Sequence, residues 1–518
     1  MNKFFDYTIE DYIQDIEEIG LKSTWNKILE YRIDNDDASD ILNVENFGEL
    51  YEIGLEYTNK ADKKEHGKYY TPDDVANVMS NWLVNLKGDN IADVACGCGN
   101  LILKYLEIID KNARDKILNN KIYLYDEDET ALNICKYSIA ILYGKKYLNK
   151  VNCIKGDFLN KKITLPKDTK VLSNPPYYKI SEVKNTWVNS VVINDSKEYY
   201  AAFMEKILKQ SVSSVIITPY SFMGSEKFYS LRLLMNNYNG FIVSFDNVPG
   251  NIFNGRKHGI FNSNTSNSVR AAITVVENKD NKKGFMLSPL IRFKTEEREK
   301  VLNCKTLYNL LNKKYQIVSE KNKSYYKCFK NLEKVYEVTE NSSNSKFKDV
   351  LATKKNDMSI CVPTSGRYFM VASKRDLKRD GKRTFYVDDE NYYDYIYCLF
   401  NSSFTYFYWR LYDGGINFPL SLIENIPLFY DKLSKRSLKK LHIIAKEMME
   451  KEEEYLVYKM NAKKMQENIK FPKYYRDTIN SIFLNDLGIK KEPKIFDEVH
   501  SSAIFKYEEY GRIKKNII

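Results

Sequence analysis

At 518 residues, with 43% hydrophobic and 29% charged side chains, the chain is globular in composition and long enough for two or three domains with real cores. No stretch is long and apolar enough to span a bilayer and Met1–Glu10 carries no signal-peptide pattern, so a soluble, cytoplasmic protein with no membrane partner is expected. The formal net charge of +11 is uneven, roughly −4 over residues 1–280 and roughly +15 over 281–518, which points to a polyanion held mainly by the second half. With four His and eight scattered Cys, reduced thiols and no metal site are expected; Cys96 and Cys98 share a Gly-rich turn but no second pair completes zinc-ligand spacing.

Residues 1–60 read as an acidic helical prefix, with helices over Ile9–Ile19, Ser23–Tyr31 and Val44–Tyr57. The segment His66–Pro72 follows, and Asp73–Leu86 reads as a helix with Thr71 as N-cap, Pro72 at its first position and two aspartates at the positive end of its dipole. Ile91–Val94 is a short apolar strand that runs through Ala95-Cys96-Gly97-Cys98-Gly99-Asn100 into a helix over Leu101–Ile109. Strand, Gly-rich turn and helix form the first unit of a nucleotide-binding α/β domain. The glycine spacing is too short for a dinucleotide and suits an adenosine ligand without a pyrophosphate. Asp93 is placed to meet a polar group of that ligand. The second strand, Lys121–Tyr125, ends in Asp126, where a carboxylate can accept both ribose hydroxyls. A helix over Glu129–Leu142 and a strand over Val151–Ile154 lead to Gly156-Asp157-Phe158. Asp157 can accept from an adenine amino group, and Phe158 can cover the ring.

The fourth strand ends in Asn174-Pro175-Pro176-Tyr177. Consecutive prolines continue neither a strand ladder nor a helix, so this loop is held extended. It fixes an amide, a bare carbonyl and an aromatic face in one relation, suited to a planar amino-bearing ring. Further on come a polar loop (Ser181–Lys197), a helix (Tyr199–Gln210), a strand (Ser214–Thr218), a helix (Phe228–Asn236) and a strand (Phe241–Phe245). A Gly/Asn/Ser-rich loop, Asn251–Ser268, and a final strand, Val269–Val276, close the domain. The order predicts a mostly parallel, doubly wound sheet over residues 61–280 with its functional loops at the strand C-termini. Residues 281–518 read as a basic α+β domain with strand-like or aromatic runs over Tyr395–Tyr412 and a long helix pair or hairpin over Ser434–Met465.

With these residues assembled, the chain resembles the adenine-N6 DNA methyltransferases of type II restriction–modification systems, in the motif order called the gamma class. Tyr70-Thr71-Pro72 precedes the turn Asp93–Gly99, then Asp126, Asp157-Phe158 and Asn174-Pro175-Pro176-Tyr177, with the target-recognition domain last. The resemblance covers about residues 60–280; the run Asn401–Tyr408 through Ile426-Pro427-Leu428 also looks like the end of a recognition domain. It implies a Rossmann-like S-adenosylmethionine-dependent methyltransferase domain. The cofactor would be held by Tyr70, Thr71, Asp93, Ala95, Gly97, Gly99, Asp126, Asp157, Phe158 and Asn174. The flipped base would lie between Tyr177 and a later Phe, with Phe253 favoured and Phe261 competing. Asp where the family often has Glu, at 93 and 126, shortens the reach to the ribose.

Double-stranded DNA is the implied partner, with Lys374, Arg375, Lys378, Arg379, Lys382 and Arg383 as phosphate contacts. A separately encoded endonuclease is a further possible partner, and a monomer is favoured. RNA or protein-glutamine methylation, cytosine-N4 methylation, a catalytic subunit of a multisubunit system and a non-enzymatic DNA-binding protein on the same fold are the competing readings.

Overall fold

The computed structural model describes residues 71–187, 189–247, 249–253, 269–277, 282–342, 345–365, 370–412, 417–461 and 464–500. The expected helical prefix 1–60, Tyr70 and Phe261 lie outside these residues. The described chain forms two compact units: 71–287 with 293–323, and 288–292 with 324–500. Residues 293–323, which follow the break expected at 280, continue the first unit.

The first unit is built on an eight-stranded sheet of order β3-β2-β1-β4-β5-β7-β6-β8. Its strands are β1 (Asn90–Asp93), β2 (Ile122–Asp126), β3 (Asn152–Lys155), β4 (Thr169–Ser173), β5 (Ser213–Pro219), β6 (Asn239–Phe245), β7 (Ala271–Val276) and β8 (Gly284–Ile291). Strands β1 to β5 pair with one another in parallel, and β7 is wedged antiparallel between β5 and β6. This is the mostly parallel, doubly wound sheet expected. Strands β4 to β7 read as near-continuous apolar runs because helices cover both faces of such a sheet. Ile216, Ile217, Ile242, Val243 and Ile273 are fully buried. Val269–Val276 is not the final strand; β8 follows it, beyond the expected domain end.

The chain runs from β1 outward to β3, then returns to β4 on the other side of β1. The crevice between β1 and β4 is therefore the topological switch point, where ligands of open α/β sheets bind at the strand C-termini. Asp93, Asp126 and Asn174 all stand at that edge. Helix α1 (Asp73–Val84) buries Val75, Ala76, Val78, Met79 and Leu83 and packs against α2 (Asn100–Ile108). Pro72, not Thr71, is the residue that caps α1, its carbonyl accepting from Ala76 N–H. The Thr71 side chain is thereby released from the capping role expected of it.

The second unit is α+β. Helices Glu390–Phe400, Ser403–Tyr412, Lys435–Glu450 and Lys473–Asp486 bury Tyr395, Tyr397, Phe400, Trp409, Leu441, Met448 and Phe483 in one core. Two expectations fail here. The aromatic run Tyr395–Tyr412 is helical: Asp389 accepts from the N–H groups of Asn391 and Tyr392, which starts the first of two helices, and Tyr393–Phe400 is buried throughout. The second half of Ser434–Met465 is no helix; Leu456–Asn461 and Lys464–Ile469 pair as a β-hairpin. Glu467 N–H donates to the Lys378 carbonyl and Lys378 N–H donates to the Glu467 carboxylate, which ties that hairpin to a distant loop that local charge patterning does not reveal.

Candidate active site

Asn174 is the centre of the strand-end cluster. Its Nδ2 donates to Thr71 Oγ1 at 3.0 Å, and its Oδ1 lies 2.5 Å from the Tyr177 hydroxyl. That hydroxyl also lies 3.1 Å from the Ile217 carbonyl, so one proton serves two acceptors. Pro175 is buried and half-buried Pro176 continues the extended loop; no described residue donates to the Pro175 carbonyl. The loop thus sets the Asn174 amide beside the bare Pro175 carbonyl. Thr71 is locked from behind as well, because Asn100 Nδ2 donates to its carbonyl.

The Phe253 ring stands 6.0 Å from that of Tyr177 at an interplanar angle of 65°. This is an edge-to-face contact, whereas a base sandwiched between two rings needs them parallel and about 7 Å apart. The described arrangement is therefore closed, and a base enters only by turning one ring. Tyr200, fully buried and hydrogen-bonded to Ser221 Oγ at 2.9 Å, packs edge-on at 6.2 Å from Tyr177 and backs it.

The three acidic residues at the strand ends differ in what they can still bind. Asp93 is 1% exposed; its Oδ1 accepts from Ala95 N–H at 3.3 Å and its Oδ2 makes no well-formed hydrogen bond among the described residues. Burial pushes its carboxyl up to about 7, opposed by the Ala95 N–H and the Ser173 hydroxyl. Asp126 accepts from Gly97 N–H at 2.8 Å and from Asp128 N–H at 2.9 Å, leaving half of a carboxylate's roughly four lone-pair positions. Gly97 and Gly99 both have positive φ, and a Cβ at Gly99 would lie 2.1 Å from Cys135 Sγ, so the turn requires glycine there.

Asp157 is already full. It accepts from Leu159 N–H at 2.9 Å, Tyr199 hydroxyl at 2.7 Å, Trp187 Nε1 at 2.5 Å and Lys184 Nζ at 3.3 Å. To accept from an adenine amine it must give up one donor, and Lys184, 57% exposed, is the one held most loosely. Phe158 departs from its expected place over a cofactor ring. It is 1% exposed, packed against Tyr125 and Phe203, with Lys206 Nζ 4.5 Å from its centroid. The cause is Lys206, a buried lysine whose ammonium donates to the carbonyls of Phe158, Asn160 and Ile163 and winds the 157–163 loop around itself. Burial pulls that ammonium down to about 8, while Asp157 opposes the shift. Nothing in the local sequence marks Trp187, Tyr199 or Lys206 as partners of this loop.

An orphaned Asp93 oxygen, spare acceptors on Asp126 and the glycine turn between them fit an adenosine ligand that carries a cationic group. Among the described residues no group of His, Cys, Asp and Glu is arranged to hold a metal ion, and all eight cysteines are free thiols.

In the second unit the six basic residues separate into two sets. Arg375 pairs with Glu453, Arg379 donates to Asn468 Oδ1, and Lys382 sits 2.8 Å from Asp376. Lys374, Lys378 and Arg383 are exposed, and their side chains have no partner among the described residues. The loop itself is pinned by buried Glu452, which accepts from Ser373 Oγ, Lys374 N–H and Tyr397 hydroxyl, each at 2.8 Å.

Comparison with known proteins places this geometry. The profile of the family described as N-6 DNA methylase matches residues 43–357. The chain is 22% identical over 295 residues to the type I restriction enzyme MpnII methylase subunit of Mycoplasma pneumoniae, covering 52% of this chain and 51% of that protein. It is 32% identical over 95 residues to the type I restriction enzyme MjaIX methylase subunit of Methanocaldococcus jannaschii, covering 18% and 17%. The chain thus spans about half the length of the first relative and less of the second. Among solved structures, a DrdV–DNA complex aligns over 79% of this chain and 59% of its own with a TM-score of 0.46 and 11% identity. A nuclease-deletion mutant of the type ISP enzyme LlaGI, in complex with a DNA substrate mimic, aligns over 98% and 71% with a TM-score of 0.44 and 11% identity. With the family profile matching well over half of its residues, the chain belongs to the N-6 DNA methylase family.

Proposed function

We propose that the chain transfers a methyl group from S-adenosylmethionine to the N6 amino group of an adenine flipped out of duplex DNA, as the modification enzyme of a restriction–modification system. The observation that carries this reading is Asn174, held between Thr71 and Tyr177 at the switch point beside the bare Pro175 carbonyl. The adenine amine is a poor nucleophile because its lone pair is delocalised into the ring. Asn174 Oδ1 and the Pro175 carbonyl accept its two hydrogens, favour a pyramidal nitrogen and stabilise the positive charge that develops there. Tyr177 and Phe253 hold the extruded base by stacking. S-adenosylmethionine, when bound, supplies an electrophilic methyl group on a sulfonium. Asp93 would meet the ligand's cationic part, Asp126 would accept from its ribose hydroxyls, and Thr71 with the Ala95–Gly99 turn would hold it beside Asn174.

Two assembly readings follow from different observations. The exposed Lys374, Lys378 and Arg383 support a chain that reads DNA through its own second unit, the type II, gamma-class arrangement. The curated relatives are methylase subunits of type I enzymes, which supports a catalytic subunit that takes its specificity from another chain. Single-molecule sequencing of DNA from cells expressing this chain alone separates them. N6-methyladenine in one sequence context supports the first reading, and methylation only with an added partner supports the second. N4-methylcytosine in place of N6-methyladenine would overturn the adenine assignment, and modification confined to RNA or to a glutamine-bearing protein would overturn the DNA assignment.

A further inference from the structure

We infer that Arg298 is a positioning residue that sets the gap between Phe253 and the Asn174 side of the base pocket. The inference rests on the DNA-methylation reading above. Arg298 lies well outside every motif and past the expected end of the catalytic domain, yet it belongs to the first compact unit and is 5% exposed. Its Nε and Nη2 donate to the two carboxylate oxygens of Asp74 at 2.5 and 2.8 Å. Its Nη1 donates to the Asn251 carbonyl at 2.8 Å, and Nη2 donates again to the Ile252 carbonyl at 2.7 Å.

Both ends of this bridge lead into the pocket. Asp74 sits in the first turn of α1, three residues after Thr71, which accepts from Asn174. Ile252 is adjacent to Phe253, and Asn251 Oδ1 accepts from Phe253 N–H at 2.9 Å, which sets the direction in which the chain carries the ring. A closed circuit results: Asn174 to Thr71, Asp74 to Arg298, Arg298 to Asn251 and Ile252, Phe253 to Tyr177, and Tyr177 back to Asn174. The cofactor-side wall and the base-stacking wall are thus fastened through one guanidinium. The guanidinium makes four hydrogen bonds here, one more than the three donors of a lysine ammonium can supply, and its fork meets the carboxylate bidentately.

The test uses the full-length chain with a duplex carrying the methylation site found by sequencing, and a second duplex with 2-aminopurine at the target position. Arg298→Lys and Arg298→Ala are compared with Phe253→Ala and with the double variant Arg298→Ala/Phe253→Ala. Both Arg298 variants are expected to bind duplex within about threefold of wild type, to show less 2-aminopurine fluorescence on binding, and to lose about 10- to 100-fold in kcat with little change in KM. The double variant is expected to be no slower than the slower of its two parents, because both act through one gap. Multiplicative losses in the double variant, or wild-type kcat and fluorescence in a folded Arg298→Ala, would overturn the inference. Should Arg298→Ala fail to fold, Asp74→Asn leaves the guanidinium in place and loosens only its seat, and wild-type kcat in that variant would equally overturn it. If wild type itself methylates no duplex, the functional reading fails and this inference with it; wild-type activity with an additive Arg298 effect removes the inference alone.

Discussion

The strand-end cluster of the first unit and the basic loop of the second both present polar side chains marked out by sequence, and they differ in how many remain available. In the sheet, the C-terminal edge at the switch point decides where Asp93, Asp126 and Asn174 stand, and backbone N–H groups use only part of the acceptor capacity of the two aspartates. In the basic loop, three of six cations are consumed within the unit by Glu453, Asn468 and Asp376. Position in a regular fold therefore predicts a role, whereas composition predicts charge without predicting which charges are free. Asp157 is the instructive exception inside the sheet. Once the chain leaves the strand, the Leu159 N–H and three donors from later segments fill its carboxylate.

The largest effect expected separates Asn174 from its neighbours. On the proposed mechanism, Asn174→Ala removes an acceptor of the target amine, and it removes the donor to Thr71 Oγ1. Methyl transfer should fall by about 100- to 1,000-fold with DNA affinity retained, as when one preorganised polar group is lost from an active site. Single-turnover rates with duplex DNA, beside equilibrium binding, decide it, and near-normal transfer would remove Asn174 from the chemistry. Phe158 should behave in the opposite manner. Phe158→Ala empties a site that is 1% exposed between Tyr125, Phe203 and Lys206 and should cost about 3–5 kcal/mol of stability. Denaturant titration measures that loss. A stable Phe158→Ala chain with weakened cofactor binding would restore the ring to the pocket.

How far the sequence could be read follows the same line. The order of strands, the Gly-rich turn and the Asn174–Tyr177 loop were legible because each depends on neighbours within a few residues, and β1 to β4 obey the handedness and switch-point rules of parallel sheets. Strand β8, the burial of Phe158 and the part played by Arg298 were not, because each is fixed by a residue dozens of positions away. Lys206 collects carbonyls of a loop more than forty residues earlier, and Arg298 reaches back to Asp74. Trp187 and Tyr199, which fill Asp157, come from a segment whose polarity suggests only a loop. In the second unit, the aromatic and β-type composition of Tyr395–Tyr412 suggested strands, although two helices form there. The hairpin over 456–469 depends on pairing with Lys378 that no local pattern records.

A smaller effect distinguishes Asp93 from Asp126. Burial raises the Asp93 carboxyl from its model-peptide value of 3.8 to about 7, so the folded chain binds a proton that the unfolded chain releases, and this group's contribution to stability falls as pH rises from about 4 to about 7. The melting temperature of Asp93→Asn should therefore gain on wild type between pH 5 and pH 8. A cationic ligand facing the Asp93 carboxylate competes with that proton. Affinity for S-adenosylmethionine should rise about tenfold from pH 6 to pH 8 in wild type and stay flat in Asp93→Asn. Calorimetric titration at several pH values reads both, and parallel profiles in the two proteins would place the titrating group elsewhere.

The smallest effect tests the basic loop one residue at a time. Lys378 is exposed with no side-chain partner among the described residues, whereas Lys382 donates to the Leu377 carbonyl at 2.6 Å and sits against Asp376. A lysine on a phosphate displaces a condensed counterion, so its loss lowers the slope of log affinity against log salt by about 0.9; a lysine engaged within the protein has no counterion to release. Lys378→Ala should reduce the slope by about one unit and weaken binding equally for all duplex sequences. Lys382→Ala should leave the slope unchanged and lower stability by about 1 kcal/mol or less, since the ion pair it breaks is partly exposed. Affinities measured across a series of salt concentrations give both slopes. An equal fall in slope for the two variants would mean that the Lys382 contacts to Asp376 and Leu377 open when DNA binds, and an unchanged slope for Lys378→Ala would remove Lys378 from the duplex contacts.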